Sequence, residues 1–368
     1  MSTKKDKFSS KDKNYMKLAI NLARARIGLT GENPSVGCVI VKNDKILSIG
    51  QTGYNGRPHA ETNAINNSFQ NLSGSKMYVT LEPCNHYGKT PPCTKSIIKS
   101  GIKELFYSIN DIDKKVKGKS YKILSRKKIK VKKGLLREEA LDVYDSYIIN
   151  RKLKLPYVTA KIAISKNKLI YSEGIKRITS EASDKISHFL RFKNDAIMIS
   201  SKTLNIDNPK LNCRLEGFEN FSPKRIILDK DLDINLNTYI FRSAKKKNTI
   251  IFHNSLNKPK IRVLENKGIL LYKIKLDNKK KLDLKIVLKR LFFSGIGSLL
   301  VEGGDRLTWN MLNQKLIDRF YLFKSPKILS KNKNHVCFSS SNILRKKYKI
   351  MSKIISNLAK DNITIYKR

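Results

Sequence analysis

Apolar residues recur at three- and four-residue steps through Tyr15, Leu18, Ala19, Leu22 and Ala23, which predicts a helix over 14–29 ended by Gly28 and the polar 30–34 stretch. The continuous apolar run 36–41 reads as a buried strand, Asn43-Asp44 as a turn, and 45–50 as the returning strand. Beyond a loop through Gly53 and Gly56, the pattern predicts a helix over 60–69 and a strand over 77–81. A helix over 94–100, a strand over 105–109 and a helix over 121–124 follow. Such alternation gives an α/β three-layer unit. A basic strand-like segment at 127–134 and a helix at 135–149 close it. The connection 150–156 is polar and basic, so the expected division is 1–148 and 149–368.

The second half is again α/β. Period-two alternation opens it at 156–165. Further strands are expected at 196–200, 225–229, 249–252, 269–272, 298–302, 320–323 and 363–366. Helices are expected at 183–191, 285–292 and 307–314.

Composition narrows the class. With 368 residues and 40% hydrophobic content, the chain is globular and long enough for two cores. No apolar run reaches the ~18 residues of a membrane span. The lysine-rich stretch 1–14 lacks the apolar centre of a secretory signal and is read as a frayed tail, so a cytoplasmic protein without a membrane partner is expected. Five scattered cysteines do not form a disulfide framework. The net charge of +46 raises nucleic acid as a partner. However, lysine is abundant everywhere and forms no single stripe with interleaved aromatics, so no specific nucleic-acid partner is expected. Anionic small substrates suit the charge.

Candidate chemistry concentrates at His59-Ala60-Glu61 and at Pro83-Cys84 through Cys93. His59, Cys84 and Cys93 offer three metal ligands beside a carboxylate, Glu61, that need not be one. A catalytic Zn2+ takes three protein ligands and leaves a position open for water, whose acidity it raises. A neighbouring carboxylate then shuttles the proton. His59 and Cys93 each fall at an expected helix start, where the positive dipole end favours thiolate. The arrangement is that of zinc nucleobase deaminases, where two residues separate the cysteines; here eight do. A structural zinc is the alternative. It would need a fourth ligand, for which His86 is the nearby candidate.

Thr80-Leu81-Glu82-Pro83-Cys84-Asn85-His86-Tyr87-Gly88-Lys89-Thr90-Pro91-Pro92-Cys93 resembles the signature of the bifunctional riboflavin-biosynthesis deaminase-reductase family, including its long gap between cysteines. Asn33-Pro34-Ser35-Val36-Gly37-Cys38 and Pro58-His59-Ala60-Glu61 are similar to the same family, and the resemblance runs over residues 14–113. It implies a cytidine-deaminase-like domain acting on a diaminopyrimidine that carries ribose phosphate. His59, Cys84 and Cys93 would bind zinc, Glu61 would be catalytic, and Asn33, His86, Lys89 and Thr90 would line the substrate. One departure is Thr52, where the family often has His.

The second half resembles the family's reductase domain, which has a dihydrofolate-reductase-like fold and uses NADPH. The resemblance lies in Val301-Glu302-Gly303-Gly304, in 200–204, in Asp207-Asn208-Pro209 and in Leu211-Asn212-Cys213-Arg214. By that match Ala163, Thr203, Asp207, Gly303, Gly304, Asp305, Arg306 and Leu307 would contact NADPH. Lys161, Arg191, Leu211, Arg214 and Glu302 would meet the phosphorylated ribosylaminopyrimidine. Alone, two glycines between a strand and a helix are a weak phosphate signal, without the spacing of a dinucleotide fold. Departures are heavier here: Ser165-Lys166-Asn167-Lys168 replaces Ser-Leu-Asp-Gly, and Ile175 and Arg177 stand where Ser and Trp are usual.

The resulting expectation is a bifunctional enzyme. Zinc-dependent deamination of 2,5-diamino-6-(5-phosphoribosylamino)pyrimidin-4(3H)-one is followed by NADPH-dependent reduction of the ribosyl chain to ribityl. Two alternatives stay open: an impaired reductase, and a basic nucleic-acid-binding protein with a structural zinc. Oligomeric state is also open, with a homo-oligomer as one option.

Overall fold

The structure, a computed structural model, describes residues 8–88, 90–175, 177–245, 248–355 and 360–368. The chain forms two compact units, Met1–Leu153 and Lys154–Arg368.

The first unit runs α1 (Ser10–Arg26), β1 (Gly37–Lys42), β2 (Lys45–Gln51), α2 (Ala60–Asn66), β3 (Lys76–Leu81), α3 (Cys93–Lys99), β4 (Glu104–Ile109), α4 (Lys119–Arg126), β5 (Lys130–Lys133) and α5 (Arg137–Leu153). Its five-stranded sheet has the order β2-β1-β3-β4-β5, antiparallel at β2–β1–β3 and parallel from β3 to β5. The expected frayed stretch 1–14 is corrected over its second half, because α1 already begins at Ser10, while residues 1–7 lie outside the described residues. Ser9 and Asp12 form a reciprocal cap: Asp12 N–H donates to Ser9 Oγ at 3.1 Å, and Ser9 N–H to Asp12 Oδ2 at 3.0 Å. Residue 148, the expected division, lies inside α5, which continues to Leu153.

Two glycines set the helices against the sheet. Successive strand residues face opposite sides. At Gly37 a side chain would fall 1.9 Å from Ala19 O of α1, and at Gly50 it would fall 2.2 Å from Ala60 O of α2. Gly50 pairs with Cys38, the neighbour of Gly37, so α1 and α2 cover opposite faces. The obstacles are backbone atoms that cannot swing aside. Gly50→Ala is therefore expected to destabilise the first unit by about 3 kcal/mol or more and to lower zinc content, as read by denaturant titration and metal analysis.

The second unit runs β6 (Tyr157–Ile164), β7 (Leu169–Ser172), α6 (Glu181–Phe192), β8 (Ala196–Ser200), α7 (Ser201–Asp207), β9 (Lys224–Leu228), α8 (Tyr239–Arg242), β10 (Thr249–His253), α9 (Lys258–Asn266) and β11 (Leu270–Lys273). It continues with α10 (Leu284–Phe293), β12 (Ser298–Val301), α11 (Asp305–Asn313), β13 (Arg319–Lys324), β14 (His335–Cys337), α12 (Ser341–Lys347), β15 (Lys349–Ile355) and β16 (Asn362–Lys367). Nine strands form one sheet in the order β11-β10-β9-β8-β12-β6-β13-β16-β15. Pairing is parallel from β11 to β13 and antiparallel over the last three strands. The central strands are buried on both faces, which is why they read as continuous Ile, Leu and Val runs. β6, the first strand, lies between β12 and β13. Val158 N–H donates to Asp318 Oδ2 at 2.9 Å, and Asp361 Oδ2 accepts from Ser180 N–H and from the Ser180 and Ser183 hydroxyls at 2.7 Å each.

The unusual 165–168 segment is the turn between β6 and β7. Ser165 Oγ donates to Asn167 Oδ1 at 2.7 Å, Asn167 Nδ2 donates to Leu329 O at 2.8 Å, and Leu329 N–H returns to Asn167 Oδ1 at 3.1 Å. Asn167 thus clamps this turn to the 329 loop. Lys168 has φ 66°, the left-handed region that suits glycine. Lys168→Gly would relieve about 1 kcal/mol of backbone strain and return about 0.5 kcal/mol through a more mobile unfolded chain. A net gain of about 0.5 kcal/mol is expected, visible as a small rise in the unfolding midpoint.

Candidate active sites

In the first unit, β3 ends at Leu81 and delivers Glu82-Pro83-Cys84, while His59 directly precedes α2 and Cys93 opens α3. Thr94 N–H donates to Cys84 O at 3.1 Å, and Cys93 N–H to Cys84 Sγ at 3.3 Å, so the start of α3 is fastened to the end of the strand. His59 Nδ1 lies 3.3 Å from Cys93 Sγ and 3.5 Å from Cys84 Sγ. The three donor atoms all fall within 4.8 Å of one another. Among the described residues, no fourth donor, His86 included, joins them. One imidazole and two sulfurs at this spacing suit a tetrahedral zinc with one corner open. The hydrogen bond with Cys93, helped by His59, holds the Cys84 thiol down at about 4, so that it is a thiolate near neutral pH.

Glu61 lies one residue into α2 and is 4% exposed. Burial pushes its carboxyl up to about 7, with His59 working against that rise. A carboxyl poised there can both take and return a proton near neutrality.

Glu61 and His59 open onto a cavity of about 120 Å³ that Asn33, Thr52, Arg57, Glu82, Cys84, His86, Asp111, Tyr147 and Arg151 also line. Asn33 and His86 therefore share the cavity with His59 and Cys84. Thr90 is exposed, does not line the cavity, and accepts a hydrogen bond from Arg57 Nη1. Lys89 lies outside the described residues. Thr52, in the position where the family often has His, is 2% exposed. Its hydroxyl accepts from Val36 N–H at 2.9 Å and donates to Pro34 O at 3.1 Å, so it holds the loop that presents Asn33. Glu82 Oε1 is buried and has no partner among the described residues. Sequence reasoning missed Arg57, Glu82, Tyr147 and Arg151. Tyr147 and Arg151 stand four apart on α5, where the only signal was ordinary helical periodicity.

In the second unit, a groove of about 1810 Å³ gathers Lys161, Ala163, Thr203, Asp207, Glu302, Gly303, Gly304, Asp305, Arg306 and Leu307. Gly303 and Gly304 link β12 to α11. A side chain at Gly303 would fall 2.8 Å from Leu307 Cδ2, and one at Gly304 would fall 3.6 Å from Thr203 Oγ1. The turn thus presents bare backbone to the groove, as close approach of a phosphate requires. Asp305 is engaged by Ser339, whose N–H and hydroxyl donate to its two oxygens at 2.8 and 2.6 Å.

Arg191, Leu211 and Arg214 do not line the groove. Arg191 reaches it through Glu302, donating from Nε at 2.9 Å and from Nη2 at 2.8 Å in a bidentate pair whose side chains are 13% and 14% exposed. Arg191 Nη1 also donates to Asn212 O at 3.2 Å. Leu211 is buried in the core with φ 54°. Arg214 is exposed and donates to Asn212 Oδ1 at 2.9 Å. Burial lowers the affinity of Lys161 for its proton, and Glu302 opposes that shift. Of the departures, Ile175 is exposed and Arg177 pairs with Asp184 at 3.0 Å.

A family model described as the RibD C-terminal domain matches residues 156–362, and one described as the cytidine and deoxycytidylate deaminase zinc-binding region matches residues 9–109. The chain is 35% identical to the riboflavin biosynthesis protein RibD of Aquifex aeolicus, over 97% of this chain and 98% of that one. It is 36% identical to RibD of Actinobacillus pleuropneumoniae, over 86% of this chain and 84% of that one. Among solved structures, it is similar to the diaminohydroxyphosphoribosylaminopyrimidine deaminase/5-amino-6-(5-phosphoribosylamino)uracil reductase of Thermotoga maritima. That similarity has a TM-score of 0.81 and 30% identity, covering 97% of this chain and 98% of that one. Acinetobacter baumannii RibD superposes with a TM-score of 0.80 at 27% identity, with coverage of 97% and 98%.

Proposed function

Because this chain belongs to the RibD family of bifunctional riboflavin-biosynthesis deaminase-reductases, we propose that its two cavities are the sites of the two reactions, with the residue roles given below. The chain is a zinc-dependent pyrimidine deaminase and an NADPH-dependent reductase of riboflavin biosynthesis. The nucleic-acid reading and the impaired-reductase reading are not favoured. Among the described residues, no helix is long and apolar enough to cross a membrane.

The observation that carries the deaminase assignment is the buried Glu61 carboxyl in one cavity with His59 and Cys84, which converge with Cys93 and, among the described residues, no fourth donor. His59, Cys84 and Cys93 would hold zinc, which when bound supplies a Lewis acid that makes water a competent nucleophile. Glu61 takes the proton from the water and returns it to the departing ammonia. Glu82 Oε1, an acceptor with no partner among the described residues, suits a ring bearing amino N–H groups. Asn33 would meet the same ring, from a loop that the Thr52 hydrogen bonds to Pro34 O and Val36 N–H hold.

In the second unit, the Gly303–Gly304 turn and Thr203 would seat NADPH, whose contribution when bound is a hydride. Glu302, both of whose oxygens accept from Arg191, would orient the substrate through their remaining lone pairs. Lys161, whose ammonium is disfavoured by burial, is placed to release a proton from Nζ. Zinc-loaded protein given the diaminopyrimidine phosphate should release ammonia without NADPH and form the ribityl product only with it. Absence of ammonia from zinc-loaded protein would overturn the deaminase assignment.

A further inference from the structure

Arg57 is a cation at the deaminase cavity that no motif accounts for. It lies two residues before His59 and lines the same cavity as His59 and Glu61. Its backbone is held tightly: Gly53 N–H donates to Pro58 O at 2.9 Å, and a side chain at Gly53 would fall 2.1 Å from Arg57 O. The Arg57 side chain crosses to the loop between the two cysteines, where Nη1 donates to the Thr90 hydroxyl. Nη2 lies 3.6 Å from where a side chain at Gly88 would begin, an ordinary van der Waals distance.

Charge separates Arg57 from the other arginine of this cavity. Arg151 sits 5.5 Å over the Tyr147 ring, and its charge acts on Asp111, a carboxylate of the same lining. Arg57 has only a neutral hydroxyl, and among the described residues no carboxylate pairs with it. A half-buried guanidinium with spare N–H donors in a cleft is suited to a bidentate oxyanion. The cavity also has an inside and an outside. Of its lining, Glu61 and Glu82 are buried, Arg57 is half-buried and His86 is exposed, with the exposed Thr90 beyond the lining. At about 120 Å³ it is smaller than the roughly 300–1,000 Å³ of pockets that enclose a whole drug-sized ligand. It therefore takes a ring and leaves the ribose phosphate at the rim, beside Arg57.

We propose that Arg57, together with the Thr90 hydroxyl, binds the phosphate of the deaminase substrate and makes this chain discriminate between phosphorylated and dephosphorylated pyrimidines. This inference rests on the deaminase reading above. The test measures kcat/KM for ammonia release by the zinc-loaded full chain on the phosphorylated pyrimidine and on its phosphatase-treated counterpart, for the native protein, Arg57→Ala and Arg57→Lys. Arg57→Ala is expected to lose about 10- to 100-fold on the phosphorylated substrate, mainly in KM, so that the ratio between the two substrates collapses. Arg57→Lys restores part of the ratio, because it keeps a point charge but loses the planar fork. Competitive inhibition by inorganic phosphate weakens in parallel.

An unchanged ratio in Arg57→Ala overturns the proposal. So does an equal loss on both substrates with a lower unfolding midpoint, since that marks a structural role. Native protein that releases no ammonia from either substrate overturns the deaminase reading itself, and this inference with it.

Discussion

Glu61→Gln is expected to slow ammonia release by about 10²- to 10⁴-fold, the usual contribution of a positioned general acid-base group, while zinc content stays at the native level. The amide keeps the size and hydrogen-bonding reach of the carboxyl but cannot accept the proton of the attacking water. Glu61 is not among the three converging donors, so the metal site should survive the change. Parallel assays of ammonia and of bound zinc check this. Retained turnover would remove Glu61 from the mechanism, and lost zinc would make it part of the metal site. The NADPH-dependent step, assayed on deaminated substrate, should be unaffected, because Glu61 lies in the other compact unit.

The second large effect is expected at the Arg191–Glu302 pair. Removing one partner of a buried ion pair leaves the other charge uncompensated, at a cost of about 3–5 kcal/mol. Lys161 remains as a second cation acting on Glu302, so Arg191→Ala should fall near the lower end, about 3 kcal/mol. Reductase activity should fall with it, because Glu302 loses its orientation in the groove. Combining Arg191→Met with Glu302→Gln should recover part of the stability, since neither member of the pair is then left as an unpaired charge. Denaturant unfolding of the full chain checks both.

The same pair has a pH signature. Burial works to raise the Glu302 carboxyl, but the Arg191 charge and hydrogen bonds prevail, and the net shift is below its ordinary value of 4.5. A depressed carboxylate contributes stability that is complete above the ordinary value and is lost as pH falls through the lowered one. Arg191→Ala should therefore flatten the acid limb of the stability curve below about pH 4.5 and lower the neutral plateau.

The convergence of three donors was legible in the sequence because zinc chemistry restricts the residue types, and strand ends and helix starts restrict where they fall. His59, Cys84 and Cys93 could be named before any coordinates for that reason, and so could the buried strands at 36–41 and 298–302. What escaped notice had local or long-range causes. The helix start at Ser10 was hidden because Asp12 looks like one more charge in a lysine-rich stretch, whereas its carboxylate is a cap. The segment forming β14, α12 and β15 gave no readable pattern. β15 is half-exposed, with Ile350, Met351 and Ile354 partly open to solvent, so its apolar positions do not alternate with its polar ones. Arg57 could not be singled out among 76 lysines and arginines; only the folded loop shows that this one lacks a counter-charge.

The order of strands in the second unit bears on how the chain is made. The first unit is closed by contacts within residues 1–153 and can fold while the ribosome is still translating the rest. The second cannot follow the same course. β6 emerges first but sits between β12 and β13, and the Ser180 cap on α6 waits for a carboxylate at residue 361. Such long sequence separations make assembly slow. A nascent chain stalled near residue 300 should accordingly carry a finished deaminase tethered to an unfinished, chaperone-dependent reductase.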